Sequence, residues 1–286
     1  MRIARADDIE YRKPETRHRE GDISFKHLLR GEAGSPQNYE LMLAHSGAGF
    51  PSPPHHHNFD QIRFCLSGRF GDGKGHDVHE GQCGYYPEGA WYSIDSQESE
   101  VILVQFGGAS GWGFTHFEDL YRGYRELSQL GEFRKGRFYR SQASNRAPDT
   151  PTAQDGYEAL WQHIHGRPVC YPKPRYAKPV IMAPEAFEWR PEAAGVFRKQ
   201  LGVFTERDIA VGIVRVEPRA IWKIGAPPAP YLLYVLSGTG GSSAGRWSAG
   251  LAAELAAGEG HIVTADDELT LFYVQLPTFE TIRGMR

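Results

Sequence analysis

Arg63-Phe-Cys-Leu-Ser-Gly68 and Leu233-Tyr-Val-Leu-Ser-Gly238 stand 170 residues apart and end on the same Leu-Ser-Gly after an apolar run. The offset holds upstream, where residues 38–46 (NYELMLAHS) answer to 208–216 (DIAVGIVRV), both strand-like in composition. Downstream it drifts by a few residues and returns to 170 at the last of these runs. Residues 80–86 (EGQCGYY) align with 257–263 (AGEGHIV), and 101–106 (VILVQF) with 271–276 (LFYVQL). Each half therefore reads as short β-rich runs joined by glycine turns, the pattern of a small barrel or sandwich. Two copies this far apart imply two similar β domains or one bilobed domain, not a solenoid.

The rest of the composition agrees. A chain of 286 residues, 40% hydrophobic, can bury a core without covalent staples. Against 35 acidic residues stand 32 Lys and Arg, a net charge of −3, which gives no global field for holding nucleic acid or an anionic membrane. Cys65, Cys83 and Cys170 are an odd number, spaced for neither a zinc knuckle nor a disulfide framework, as expected of a reducing compartment. Residues 1–22 lack the apolar core of a secretory signal, and apolar runs such as 231–236 end near six residues, too short to span a bilayer. A cytoplasmic protein is expected.

Two helices are expected between the copies. Thr115-His-Phe-Glu118 has capping-box spacing, with Phe117, Leu120, Tyr121, Tyr124 and Leu127 on one stripe and Gly131 as the stop. Thr152-Ala-Gln-Asp155 opens the second, with Tyr157, Leu160, Trp161 and Ile164 on one stripe and Gly166 at its end. Both stripes are expected to pack on the outside of the barrels. Residues 132–150 carry Arg134, Lys135, Arg137, Arg140 and Arg146 against two acids, a solvated connector or a binding loop. Residues 171–191 read as extended chain. The expected division is an N-terminal arm (1–34), a first barrel (35–110), a helical and irregular connector (111–204) and a second barrel (205–286).

The chemistry lies in residues 54–68 (PHHHNFDQIRFCLSG). They resemble the first motif of the cupin superfamily, H-x-H-x3-E-x6-G. His55 and His57 take the histidine positions, Gln61 the glutamate position and Gly68 the glycine. The second cupin motif, P-x-G-x2-H, is approximated by residues 87–92 (PEGAWY), with Tyr92 at the third histidine's place. The resemblance covers both copies, so the chain is similar to a bicupin. The implied fold is all-β and mainly antiparallel: two jelly-roll barrels with a few connecting helices. It implies a small-molecule enzyme of dioxygenase, isomerase or decarboxylase type. Its divalent transition metal (Fe, Mn, Ni, Cu or Zn) is held by His55, His57 and Gln61, with Tyr92 completing or hydrogen-bonding the site. At Gly225, Pro227 and Tyr231 the second copy has no ligand and is expected to be motif-free, serving as scaffold, dimer surface or lid.

Strand geometry adds its own argument. His55, His57, Gln61, Arg63 and Cys65 share parity, so a regular strand projects them together while Ile62, Phe64 and Leu66 face away. His56 then points outward. Two imidazoles and a third donor suit a transition metal, but a neutral glutamine is a weaker ligand than glutamate, and a tyrosine binds well only as phenolate. A pocket rim that hydrogen-bonds an organic ligand is the alternative. Arg63 either pairs with Asp60 or Glu88, or clamps a substrate carboxylate with its planar fork. Tyr85, Tyr86, Trp91 and Tyr92 are barrel core or substrate cage, Tyr85 and Trp91 being candidate substrate contacts. Tyr92 and Arg63 are the candidate catalytic residues.

Other motifs carry less. Residues 241–245 (GSSAG) fit a nucleophile elbow but fall where a hairpin is expected, and 71–75 (GDGKG) precede no helix. His163 and His165 face different ways on a helix, His76 and His79 lie in a hairpin, and Cys65 suits a small buried role. The expected partner is a small molecule, with no nucleic acid and no membrane, and a homodimer stays open. The alternative function is a cupin that binds or senses a small molecule without metal.

Overall fold

The Leu-Ser-Gly repeat is a bulge followed by an obligatory glycine. Strand pairing slips between Cys65 and Ser67 in the first copy and between Val235 and Ser237 in the second. Gly68 and Gly238 then take φ of 76° and 84°. A Cβ on either would stand 1.9 or 2.0 Å from the backbone oxygen of Glu98 or Glu268 respectively. Only glycine permits both that conformation and that approach.

The computed structural model describes residues 1–16, 21–48, 50–71, 77–111, 114–141 and 153–279. Two antiparallel sheets organise it. One runs Val180–Met182, Cys83–Tyr86, Asp60–Phe70, Ser99–Phe106, Tyr39–Ser46, Ile23–Arg30. The other runs Arg2–Arg5, Leu251–Leu255, Tyr231–Ser237, Leu269–Gln275, Ile209–Val216, Val196–Phe204, Arg190–Ala193. The same order recurs at the expected offset, and the all-β, mainly antiparallel barrel class is what the chain forms. Each main sheet is backed by a smaller one: Phe50–His55 with Tyr92–Ser96 in the first barrel, and Ile221–Ile224, His261–Ala265, Thr239–Ser242 and Gly245–Ser248 in the second. Among the described residues no helix is long and apolar enough to cross a membrane.

The outward faces of the two main sheets meet. Ile62 and Phe64 leave the first barrel and join one core with Val211, Leu232 and Phe272, the Phe64 and Phe272 rings lying 4.9 Å apart. The interiors form separate clusters, with Cys65, Tyr86 and Tyr92 in the first and Trp222, Trp247 and Tyr273 in the second.

The division of the chain changes. Each half lends an edge strand to the other: Arg2–Arg5 pairs with Leu251–Leu255, and Val180–Met182 pairs with Cys83–Tyr86. Residues 1–34 are thus no arm, since Ile23–Arg30 also edges the first sheet, and 190–204 belong to the second barrel. The downstream alignment shifts as well. Cys83–Tyr86 occupies the place of Leu251–Leu255, so Tyr92–Ser96 corresponds to His261–Ala265. Gly89 N–H donates to His57 O at 2.8 Å, and Gly258 N–H to Pro227 O at 2.7 Å, fixing that correspondence. His261 therefore stands at the third-histidine position, and the second copy is not wholly without the motif.

Helix α1 spans Phe117–Leu127 and α2 spans Gly156–His165. Thr115 does not cap α1; its hydroxyl lies 2.9 Å from His165 Nε2, and His116 is the N-cap. Asp155 caps α2, accepting from the N–H of Tyr157 (2.8 Å) and Glu158 (3.2 Å), and Gly166 closes it in the left-handed conformation. Thr152 and Arg146 lie outside the described residues. Gly131 starts a strand, Gly131–Arg134, which pairs with Arg137–Arg140, so the described start of the connector is a hairpin. Residues 241–245 form the expected hairpin, and those at 72–76, His76 included, lie outside the described residues. The helices do not pack on the outside of the barrel wall. With Phe59 and Phe114 they build an apolar cluster over the open end of the first barrel.

Candidate functional site

Below that cluster the first barrel encloses a cavity of about 160 Å³ lined by His55, His57, Arg63 and Gln105 on one side and by Phe25, Leu103 and Phe117 on another. Its size matches cavities that admit a benzene ring. Three further parts of the chain line it: Pro14 and Thr16 from the N-terminal segment, Phe117 from α1 and Tyr157 from α2.

The strand expected over residues 55–65 is broken. Phe50–His55 and Asp60–Phe70 are separate strands, and 56–59 lie in none. Both histidines still reach the cavity, with ring centroids 5.0 Å apart and planes at 87°. His55 is in register with Tyr92, ring centroids 4.5 Å apart. His56 turns outward and stacks between Trp91 (4.1 Å) and Tyr171 (3.8 Å); burial lowers its pKa.

Alternation aims Gln61, Arg63 and Cys65 inward. Gln61 Oε1 accepts from Arg63 Nη2 at 2.7 Å and Nε at 3.1 Å, while its Nε2 donates to the Tyr92 hydroxyl at 2.9 Å. Arg63 Nη2 also donates to Tyr92 at 3.2 Å, and the guanidinium lies 4.5 Å over the Tyr86 ring. The Nη1 hydrogens have no acceptor among the described residues. Neither Asp60 nor Glu88 pairs with Arg63. Asp60 Oδ1 accepts from Tyr85 OH (3.1 Å) and Glu88 N–H (2.7 Å), and Glu88 is bound by Arg175 at 2.8 Å and by the Ser110 hydroxyl at 2.6 Å. Burial first, and the neighbouring Glu88 second, push Asp60 up to about 7. Burial likewise raises Cys65 to about 11, leaving a protonated thiol of low reactivity.

The four motif positions thus converge, but the donors do not suit a divalent metal. Third and fourth positions are turned toward each other and toward a guanidinium. A dication about 5 Å from that charge is repelled by roughly 6–7 kcal/mol at an effective dielectric of about 20. Among the described residues no three His, Cys, Asp or Glu side chains gather as a cage. The expected set of His55, His57 and Gln61 does not fit a metal ion in this arrangement.

Two expected substrate contacts lie elsewhere. Tyr85 faces away from the cavity, stacked on Phe204 at 4.3 Å in the core between the barrels; its neighbour Tyr86 is the inward ring. Trp91 is 60% exposed, outside the cavity. His163 and His165 have different partners, Glu126 and Thr115. Gln105 also lines the cavity and continues the inward alternation of Val101 and Leu103, a signal present in the sequence of that strand. Phe25, Phe117 and Tyr157 carry no local signal, because only the tertiary fold brings them to the cavity.

No protein family profile matches the sequence, and no curated protein matches it. Solved structures do. A proposed dioxygenase from Nostoc punctiforme superimposes with a TM-score of 0.61 at 12% identity, over 97% of this chain and 82% of that one. A proposed glyoxylate-induced protein from Pseudomonas aeruginosa gives 0.56 at 12% identity, over 93% and 85%. Oxalate decarboxylase from Bacillus subtilis, a protein with Mn(II) centres, gives 0.54 at 18% identity, over 98% and 78%. The fold shared with these structures is the double cupin barrel. Within it, this chain has a cavity in the first barrel and an interior packed with Trp222, Trp247 and Tyr273 in the second.

Proposed function

We propose that the first barrel takes up a small organic acid, binding its carboxylate at Arg63 and its apolar body against Phe25, Leu103 and Phe117. The observation that carries this is a buried guanidinium with no carboxylate partner among the described residues and Nη1 left for a ligand. A buried cation without a counter-ion is costly, and a ligand carboxylate supplies one. His55 and His57 line the same cavity, Tyr92 stands against His55 behind them, and proton transfer is the chemistry such groups perform unaided. That favours isomerase- or decarboxylase-type turnover of the bound acid.

The test is calorimetry with benzoate and with aliphatic acids of two to six carbons. Arg63→Ala is expected to weaken the best ligand by about 10- to 150-fold, since a charge-assisted hydrogen bond contributes about 1.5–3 kcal/mol. Arg63→Lys is expected to weaken it several-fold, because lysine keeps the charge without the fork. Binding unchanged in Arg63→Ala, or benzamide bound as well as benzoate, overturns the reading.

A further inference from the structure

We infer that the Gln61–Arg63 pair replaces a metal ion with a cation built into the chain, so that the first barrel works without a transition metal. The inference does not depend on which acid the cavity accepts.

Four observations carry it. Gln61 and Arg63 are adjacent inward positions of one strand, and the guanidinium binds the amide oxygen by two N–H groups. The same guanidinium reaches Tyr92, so it spans two positions that would otherwise offer ligand atoms. Residue 61 is neutral. A glutamate there would bond the same N–H groups as an ion pair and cancel the charge, whereas the amide orients the guanidinium and leaves its charge to the cavity. Finally, the charge is not balanced locally: no described carboxylate pairs with Arg63, and the two partners the sequence offered, Asp60 and Glu88, are bonded to other groups. His55 and His57 remain at the rim of the same cavity. The pair of changes is coherent. A carboxylate and a dication together leave one net positive charge, and an amide and a guanidinium leave the same.

The coherence makes the exchange reversible by design. In Gln61→Glu/Arg63→Leu the guanidinium is gone and a carboxylate joins two imidazoles, a donor set suited to Co(II), Mn(II) or Zn(II). The experiment uses the full-length, tag-free protein, elemental analysis after anaerobic loading with each metal and desalting, and the visible absorption of Co(II). The wild type is expected to retain less than a tenth of an equivalent. The double variant is expected to bind about one equivalent of Co(II) with ligand-field bands, and to lose it when His57→Ala is added. Near-stoichiometric metal in the wild type, lost in His55→Ala/His57→Ala, overturns the inference. So does a double variant that is folded by circular dichroism and binds nothing. Should that variant not fold, Gln61→Glu/Arg63→Met serves the same comparison, and the wild-type measurement stands by itself. None of these readouts uses an organic acid, so failure here is distinguishable from failure of the acid-binding reading.

Discussion

Gln61→Glu is the substitution that separates charge from shape in the first barrel. The side chains are nearly isosteric, and the new carboxylate would sit 2.7 and 3.1 Å from the two Arg63 nitrogens that Gln61 Oε1 now contacts. Charge-assisted bonds would hold Arg63 where it is, so the cavity keeps its form. What changes is the field. A ligand carboxylate on Nη1 would lie about 5 Å from the new negative charge, and two unit charges at that distance repel by about 3 kcal/mol at an effective dielectric of about 20. That is a loss of roughly 200-fold in affinity. Gln61→Leu removes the same acceptor without adding charge and is expected to lose no more than about tenfold. Titration calorimetry with benzoate at constant ionic strength, with melting temperatures as the folding control, measures both. If Gln61→Glu binds within threefold of wild type, the guanidinium is not the anion's anchor. Equal losses in the two variants would mean that geometry, not charge, governs the site.

Three further outcomes follow from the structure. Asp60, held near 7 when folded against an ordinary carboxylate near 4, keeps a proton that the unfolded chain releases; stability is therefore full below about pH 4 and falls as pH rises through 7. Urea unfolding from pH 5 to 8.5 should show that decline at up to about 1.4 kcal/mol per pH unit, flattened in Asp60→Asn; an increase over this range contradicts the assignment. Arg175 joins buried Glu88 of the first barrel to Glu206 of the second, so Arg175→Ala should cost about 1–3 kcal/mol, with Glu88→Gln in the same chain recovering most of it in denaturant melts. Gly68→Ala, whose Cβ would meet Glu98 O at 1.9 Å, should lower Tm by roughly 6–10 °C, while Gly34→Ala, at φ 81° with nothing within 4 Å, should cost only about 1 kcal/mol.

The fold was legible because a bulge and a left-handed turn demand particular residues, and the chain makes them twice. The site was legible in part. Alternation placed Gln61 and Arg63 together, and it also puts Asp60 on the opposite face from Arg63, so an Asp60–Arg63 pair was never compatible with the strand. The pair Tyr85-Tyr86 gave no such guide: both are buried, one in the barrel and one between barrels, so composition cannot tell which face is which. Trp91 was misplaced because the left-handed Gly89 turns the chain just before it, and parity cannot be carried through a turn.

Comparing the copies position by position shows why one barrel is hollow. Gln61 corresponds to Tyr231 and Leu103 to Tyr273, and those two rings stack at 5.2 Å in the second barrel. Arg63 corresponds to Leu233, buried in the cluster that holds Trp222 and Trp247. Large aromatic side chains thus occupy the volume that the first barrel leaves as its cavity, and the guanidinium beside them, Arg198, has its carboxylate partner in Glu192 at 2.7 Å while it donates to the Tyr231 hydroxyl at 3.0 Å. His261 keeps the third-histidine position without its companions, since Gly225 and Pro227 stand where His55 and His57 would be. The second copy fills with aromatic rings the space that the first leaves as a cavity, and in the first a guanidinium lines that space.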